Sequence, residues 1–119
     1  MQDFRKLKVW EKAHLFVLEA YRTTKAFPKE ELYGLTSQIR RAAASVPTNI
    51  AEGCGREGKN ELNRFLKIAM GSASEVEYQI LLTHDLEILN SKSHEELSIA
   101  VVEIKKMLAS FIRKLNTDR

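Results

Sequence analysis

Apolar residues recur at helical spacing along nearly the whole chain, and this limits the possible folds more than any other feature. The most regular run is Leu97, Val101, Ile104, Leu108, Phe111 and Leu115, at steps of three and four. Trp10, Ala13, Val17, Tyr21 and Thr24 form an earlier stripe, broadened by Val9, Phe16, Leu18 and Ala20. Leu32, Leu35, Ile39, Ala42, Val46 and Ile50 form the next, and Leu62, Phe65, Leu66, Ala69, Ala73, Val76, Ile80 and Leu86 a third. No alternating pattern suggests a strand, and no internal repeat is present. The chain is expected to be all-α.

Breakers and caps divide these stripes into helices near 6–26, 29–52, 59–90 and 94–115. Phe27-Pro28 stops the first, because the residue before a proline is pushed out of the helical region. Pro28 suits the first turn of the second, where Glu30 and Glu31 favour the positive end of the helix dipole. Pro47 falls inside that helix and predicts a kink, since it removes one backbone hydrogen bond and crowds the preceding turn. Gly53, Gly55 and Gly58 end it. The third helix is expected to be the longest. Ser93-His94-Glu95-Glu96 has the Ser-x-x-Glu form of a capping box and places the start of the fourth. Four helices with short connections predict an antiparallel up-down-up-down bundle formed as one domain over residues 1–119. Helices 1 and 3 carry more apolar residues than one buried stripe needs, which predicts a homo-oligomer.

Several function classes are disfavoured. The chain has 119 residues, 44% of them hydrophobic, too apolar for a disordered chain. It has no run of about 18 apolar residues to span a membrane. One cysteine, Cys54, allows no internal disulfide and suits a reducing, cytoplasmic setting. Gly53-Cys54-Gly55-Arg56-Glu57-Gly58 spells G-x-G-x-x-G, but it follows a helix rather than the strand that a dinucleotide site requires. Glu11 and His14 have the Glu-x-x-His spacing of di-iron bundles, yet His84 and His94 lack the second such motif. Neither a catalytic residue, a metal site nor a cofactor is assigned, and the chain is expected not to be an enzyme.

Charge is unevenly placed. Residues 1–67 hold 13 basic and 8 acidic side chains, whereas residues 68–119 hold 6 and 8, for a net +3. The candidate nucleic-acid contacts are Arg40 and Arg41 on the second helix and Arg56, Lys59, Arg64 and Lys67 around the third helix's start, each a potential phosphate partner. Glu52, Glu57 and Glu61 are interleaved with them and could pair with the same cations.

Three segments carry a family resemblance. Phe4-Arg5-Lys6-Leu7-Lys8-Val9-Trp10-Glu11-Lys12-Ala13, with Phe27 to Leu35, resembles the opening of the bacterial four-helix proteins first associated with intervening sequences in 23S ribosomal RNA genes. Gln38 to Gly53, including Arg40-Arg41-Ala42-Ala43-Ala44-Ser45-Val46-Pro47, resembles that family's most recognisable stretch, and Arg64 to Glu77 its third-helix signature. The resemblance covers about residues 4–115. It implies a four-helix bundle assembled as a ring, typically a homopentamer. The family includes relatives of diversity-generating retroelement accessory proteins, which bind nucleic acid and a reverse transcriptase. The resemblance thus implies RNA or DNA as one partner, or a role as an adaptor docking a partner enzyme such as a reverse transcriptase.

Overall fold

The computed structural model describes residues 2–117, and among these it contains four α-helices and no strand. They are α1 (Lys8–Thr24), α2 (Ser37–Gly55), α3 (Lys59–Asp85) and α4 (Ser91–Thr117). A short 3-10 turn at Phe4–Lys6 precedes α1, with Asp3 accepting from the Arg5 amide at its start. The helices run up-down-up-down, each packed on its sequence neighbours, and α4 closes the bundle against α1. The molecule measures 48 × 22 × 20 Å.

The stripes face the centre as their spacing requires. Val46 and Ile50 of α2, Leu66, Val76 and Ile80 of α3, and Val101, Ile104 and Leu108 of α4 are all buried to within 2%. Ala13 and Ala20 of α1 join them, so α1 approaches closely at its small residues. Polar ties fix the register between neighbours. Ser45 of α2 and Ser72 of α3 share a 2.8 Å hydrogen bond, Lys105 of α4 reaches Glu77 of α3 at 2.8 Å, and Lys12 of α1 reaches Glu103 of α4 at 3.3 Å.

Several boundaries differ from those read off the sequence, each for a local reason. Residues 29–36 are not regular α-helix. A 3-10 turn over Lys29–Glu31 leads into a wider turn over Leu32–Thr36, in which Gly34 has non-helical torsions. The Glu31 side chain accepts from the Leu35 amide at 3.3 Å and holds this turn together. α2 then continues through Pro47 to Gly55. α3 ends at Asp85 rather than near 90, because Glu87 adopts a left-handed φ of 63°. The Ile88 amide then bonds back to the Thr83 carbonyl and the Glu87 amide to that of His84, the pattern of a Schellman cap. α4 starts at Ser91 rather than 94. Its cap is Asn90, whose Oδ1 accepts from the Ser93 amide at 2.8 Å, so the Ser93 capping box lies one turn inside the helix. α3 is not the longest helix, since α3 and α4 each have 27 residues.

Candidate nucleic-acid interface

The six candidate cations fall into distinct environments. Arg40 is half-buried near the start of α2. Its Nε donates to Thr24 Oγ1 at 2.8 Å, and its guanidinium lies 4.8 Å from the centre of the Tyr21 ring. It therefore fastens α2 to the end of α1. Arg41, one residue on, is exposed and has no ion pair among the described residues.

At the other end of α2, some sixteen residues and roughly 24 Å away, two arginines gather on one aromatic ring. Arg56 lies 5.2 Å and Arg64 4.4 Å from the centre of Phe65. Each is also held by a carboxylate. Arg56 pairs with Glu52 at 3.3 Å, and Arg64 donates through Nε and Nη2 to the two oxygens of Glu61 at 3.0 and 3.3 Å. Those hydrogen bonds hold the Glu61 carboxyl below the usual carboxylate range. Two of the three interleaved glutamates thus do pair with candidate cations, and Glu57 forms no ion pair among the described residues. Phe65, buried as part of the α2–α3 contact, gives both arginines a fixed seat. Arg56 and Phe65 are nine positions apart and meet only through the fold, so their contact left no trace in the spacing.

Lys59 and Lys67 are exposed and form no ion pair among the described residues. Lys59 opens α3 after Gly58, whose φ of +86° suits glycine and turns the chain from α2 into α3. It lines a cleft of about 410 Å³ with Asn60, Asn63, Leu115 and Asn116. The remaining two glycines of the G-x-G-x-x-G run end α2. Gly53 lies against Phe65 and Leu62.

A larger concavity of about 650 Å³ lies between α1 and α2. Phe4, Trp10, His14 and Val17 form one wall, and Ala44, Pro47, Thr48, Ala51, Glu52 and Gly55 the other. The Trp10 and His14 rings stack 5.0 Å apart at 6°, and Phe4 meets Trp10 edge-on at 4.8 Å. The i, i+4 spacing of Trp10 and His14 made their shared face readable in advance. The small side chains opposite them, which leave the groove open, acquire meaning only once α1 and α2 are packed.

Among the described residues no group of three His, Cys, Asp or Glu side chains is placed to hold a metal ion. Cys54 is buried, which pushes its thiol above its ordinary pKa, and its carbonyl accepts from the Gln2 amide at 3.0 Å. No described helix is long and apolar enough to cross a membrane.

An antiparallel bundle of four helices, with cations on its outer surface, is the class that this geometry defines. The chain belongs to the 23S rRNA-intervening sequence protein family, whose pattern it matches over residues 5–110. It is also similar to a crystal structure from Bacteroides thetaiotaomicron, described as a protein with unknown function from the S23 ribosomal protein family. The two share 25% identity and superpose with a TM-score of 0.79 over 87% of this chain and 97% of that one. No curated protein matches.

Proposed function

We propose that this chain is a non-enzymatic helical bundle of the cytoplasm that assembles with copies of itself as a ring and binds RNA or DNA through its basic surface. The observation that carries this is the set Arg41, Lys59 and Lys67, three exposed cations without a carboxylate partner among the described residues. Unpaired surface cations are the groups that gain most from phosphate, because binding releases counterions without breaking an existing ion pair. A family name tied to 23S rRNA supports RNA as a ligand. Repetition of a +3 chain around a ring supports a stronger field than one copy has. Self-assembly is supported by apolar side chains left in water on helices 1 and 3, namely Leu15, Leu18 and Tyr21 of α1 and Ile68, Tyr78 and Leu81 of α3.

A mobility-shift assay with structured RNA and duplex DNA tests the binding. The expected result is a complex at low salt that weakens steeply as salt rises, and that the double variant Arg41→Glu, Lys59→Glu fails to form. No complex at low salt with either nucleic acid refutes the reading.

One observation favours the adaptor as a second reading. Leu15 of α1 and Ile99 of α4 are 54% and 64% exposed, and each lies one turn along its own helix from the Lys12–Glu103 bridge that ties α1 to α4. A partner protein retained in a pull-down after nuclease treatment, and lost with Leu15→Asp, supports that role.

A further inference from the structure

The cleft lined by Lys59, Asn60, Asn63, Leu115 and Asn116 lies between the start of α3 and the end of α4. Three of these five side chains are carboxamides, which both donate and accept hydrogen bonds. Their bonds are unevenly made. Asn63 Nδ2 donates to Asn116 Oδ1 at 3.1 Å and ties the two helices together. Asn63 Oδ1 is buried and accepts from no donor among the described residues. A buried acceptor without a donor costs free energy, which a ligand N–H recovers. The last torsion of an asparagine is soft, so Oδ1 can turn to meet a donor that enters the cleft.

We infer that this cleft receives one unpaired base of a nucleic-acid strand, with a base N–H on Asn63 Oδ1 and the phosphate at Lys59. This rests on the nucleic-acid reading above and names the form of the ligand, a single strand with its base edges free.

The two sides of the cleft differ in the way a nucleotide requires. α3 begins at Lys59 without a side-chain cap, so the positive end of its dipole adds to the ammonium. Lys59 is exposed and has no carboxylate partner among the described residues. Glu61, two residues on, is held by Arg64 and does not compete for it. α4 ends on the opposite side, where its final carbonyls present the negative end of a dipole. Phosphate is therefore favoured on the α3 side and N–H groups on the α4 side.

The rest of the lining suits a base. Leu115 is half-buried and offers an apolar contact to the face of the ring. Asn60, exposed one turn before Asn63, carries a donor and an acceptor for neighbouring ring atoms. Each base has an N–H on its pairing edge. A duplex has already used that edge, whereas a single strand leaves it open to side chains.

Binding to a short unstructured RNA, and to the same strand made with abasic nucleotides, tests this by fluorescence anisotropy at several salt concentrations. Wild type is expected to bind the intact strand about tenfold more tightly than the abasic one. Asn63→Leu removes the acceptor and is expected to abolish that difference. Its salt slope should stay as in wild type, because base contacts release no counterions. Lys59→Gln is expected to weaken both strands and to lower the slope by about 0.7, one phosphate contact on a single strand. Helical circular dichroism identifies folded protein, and Asn60→Ala, at an exposed position, replaces Asn63→Leu if that variant unfolds. Wild type that binds both strands alike, or Asn63→Leu that keeps the difference, overturns the base cleft and leaves phosphate binding standing. Adenosine monophosphate that displaces the intact strand at matching concentration also overturns it, assigning the cleft to a free nucleotide. No binding of either strand at low salt refutes the nucleic-acid reading itself.

Discussion

Gly53 of α2 lies so close to Phe65 of α3 that a methyl group in place of its hydrogen would sit 2.9 Å from the phenylalanine Cβ. Leu62 crowds the same spot at 3.1 Å. Phe65 cannot turn aside, because its Cβ is fixed directly to the α3 backbone, whereas the Leu62 atom is the Cδ1 tip of its side chain. Gly53→Ala is therefore expected to destabilise the bundle by about 1–3 kcal/mol, despite the better helix propensity of alanine. Gly55→Ala, with open space around it, is expected to be neutral or to stabilise by up to about 1 kcal/mol. Urea unfolding of the two variants against wild type checks the contrast. Equal effects would mean that the α2–α3 contact yields more readily than its geometry indicates.

The turn between α3 and α4 holds a non-glycine residue where glycine is favoured. Glu87 adopts φ 63° to close the α3 cap, so Glu87→Gly should stabilise the protein by about 0.5–1 kcal/mol. Three residues on, Asn90→Ala removes the acceptor for the Ser93 amide and should cost about 1 kcal/mol. Ser93→Ala should cost much less, because Ser93 is not the cap. Thermal unfolding distinguishes these three, and a larger loss at Ser93 than at Asn90 would contradict the cap assignment.

Cys54 provides a pH-dependent test. Burial raises the pKa of its thiol in the folded chain. The unfolded chain thus gives up this proton first, and stability should fall as pH rises through the ordinary thiol range. Below that range both states hold the proton and the group contributes nothing. Cys54→Ala should lose this alkaline component. A thiol reagent should label the native protein slowly and the urea-unfolded protein fast. Fast labelling in native buffer would show that the α2 end opens readily.

Glu61 holds Arg64 through two hydrogen bonds. If the basic surface binds phosphate, Glu61→Gln releases a cation beside Lys67 and should tighten binding to RNA or DNA at low salt. Each added phosphate contact should steepen the slope of log K against log salt by about 0.7–0.9. Binding measured at three salt concentrations checks this, and an unchanged slope would exclude Arg64 from the interface.

Much of this architecture could be read from spacing, because helix burial depends on residues three and four apart. Leu97, Val101, Ile104 and Leu108 were assigned to the core on that basis, and all are buried. The helix ends were harder to place. Ser93 and Asn90 are both good caps by composition, and which one caps depends on where the preceding turn delivers the chain. Glu87 carried no sign of its left-handed torsion, since nothing in its chemistry demands it. The candidate cations show the same division. Arg64 with Glu61 and Arg56 with Glu52 are neighbours on one helix surface, visible as spacing. Arg40 with Thr24, and Arg56 with Phe65, are contacts between helices that only packing decides.

The antiparallel register has one more consequence, for engineering. Gln2, Cys54, Gly58 and Leu115 meet around a single hollow, so the polypeptide enters and leaves the bundle at the same end. The opposite end carries Tyr33, 92% exposed, and Leu86. Cargo joined before Gln2 or after Leu115 would therefore sit at one end of the bundle. The other end would stay bare, and cargo at both ends would need an insertion in the turn around Tyr33.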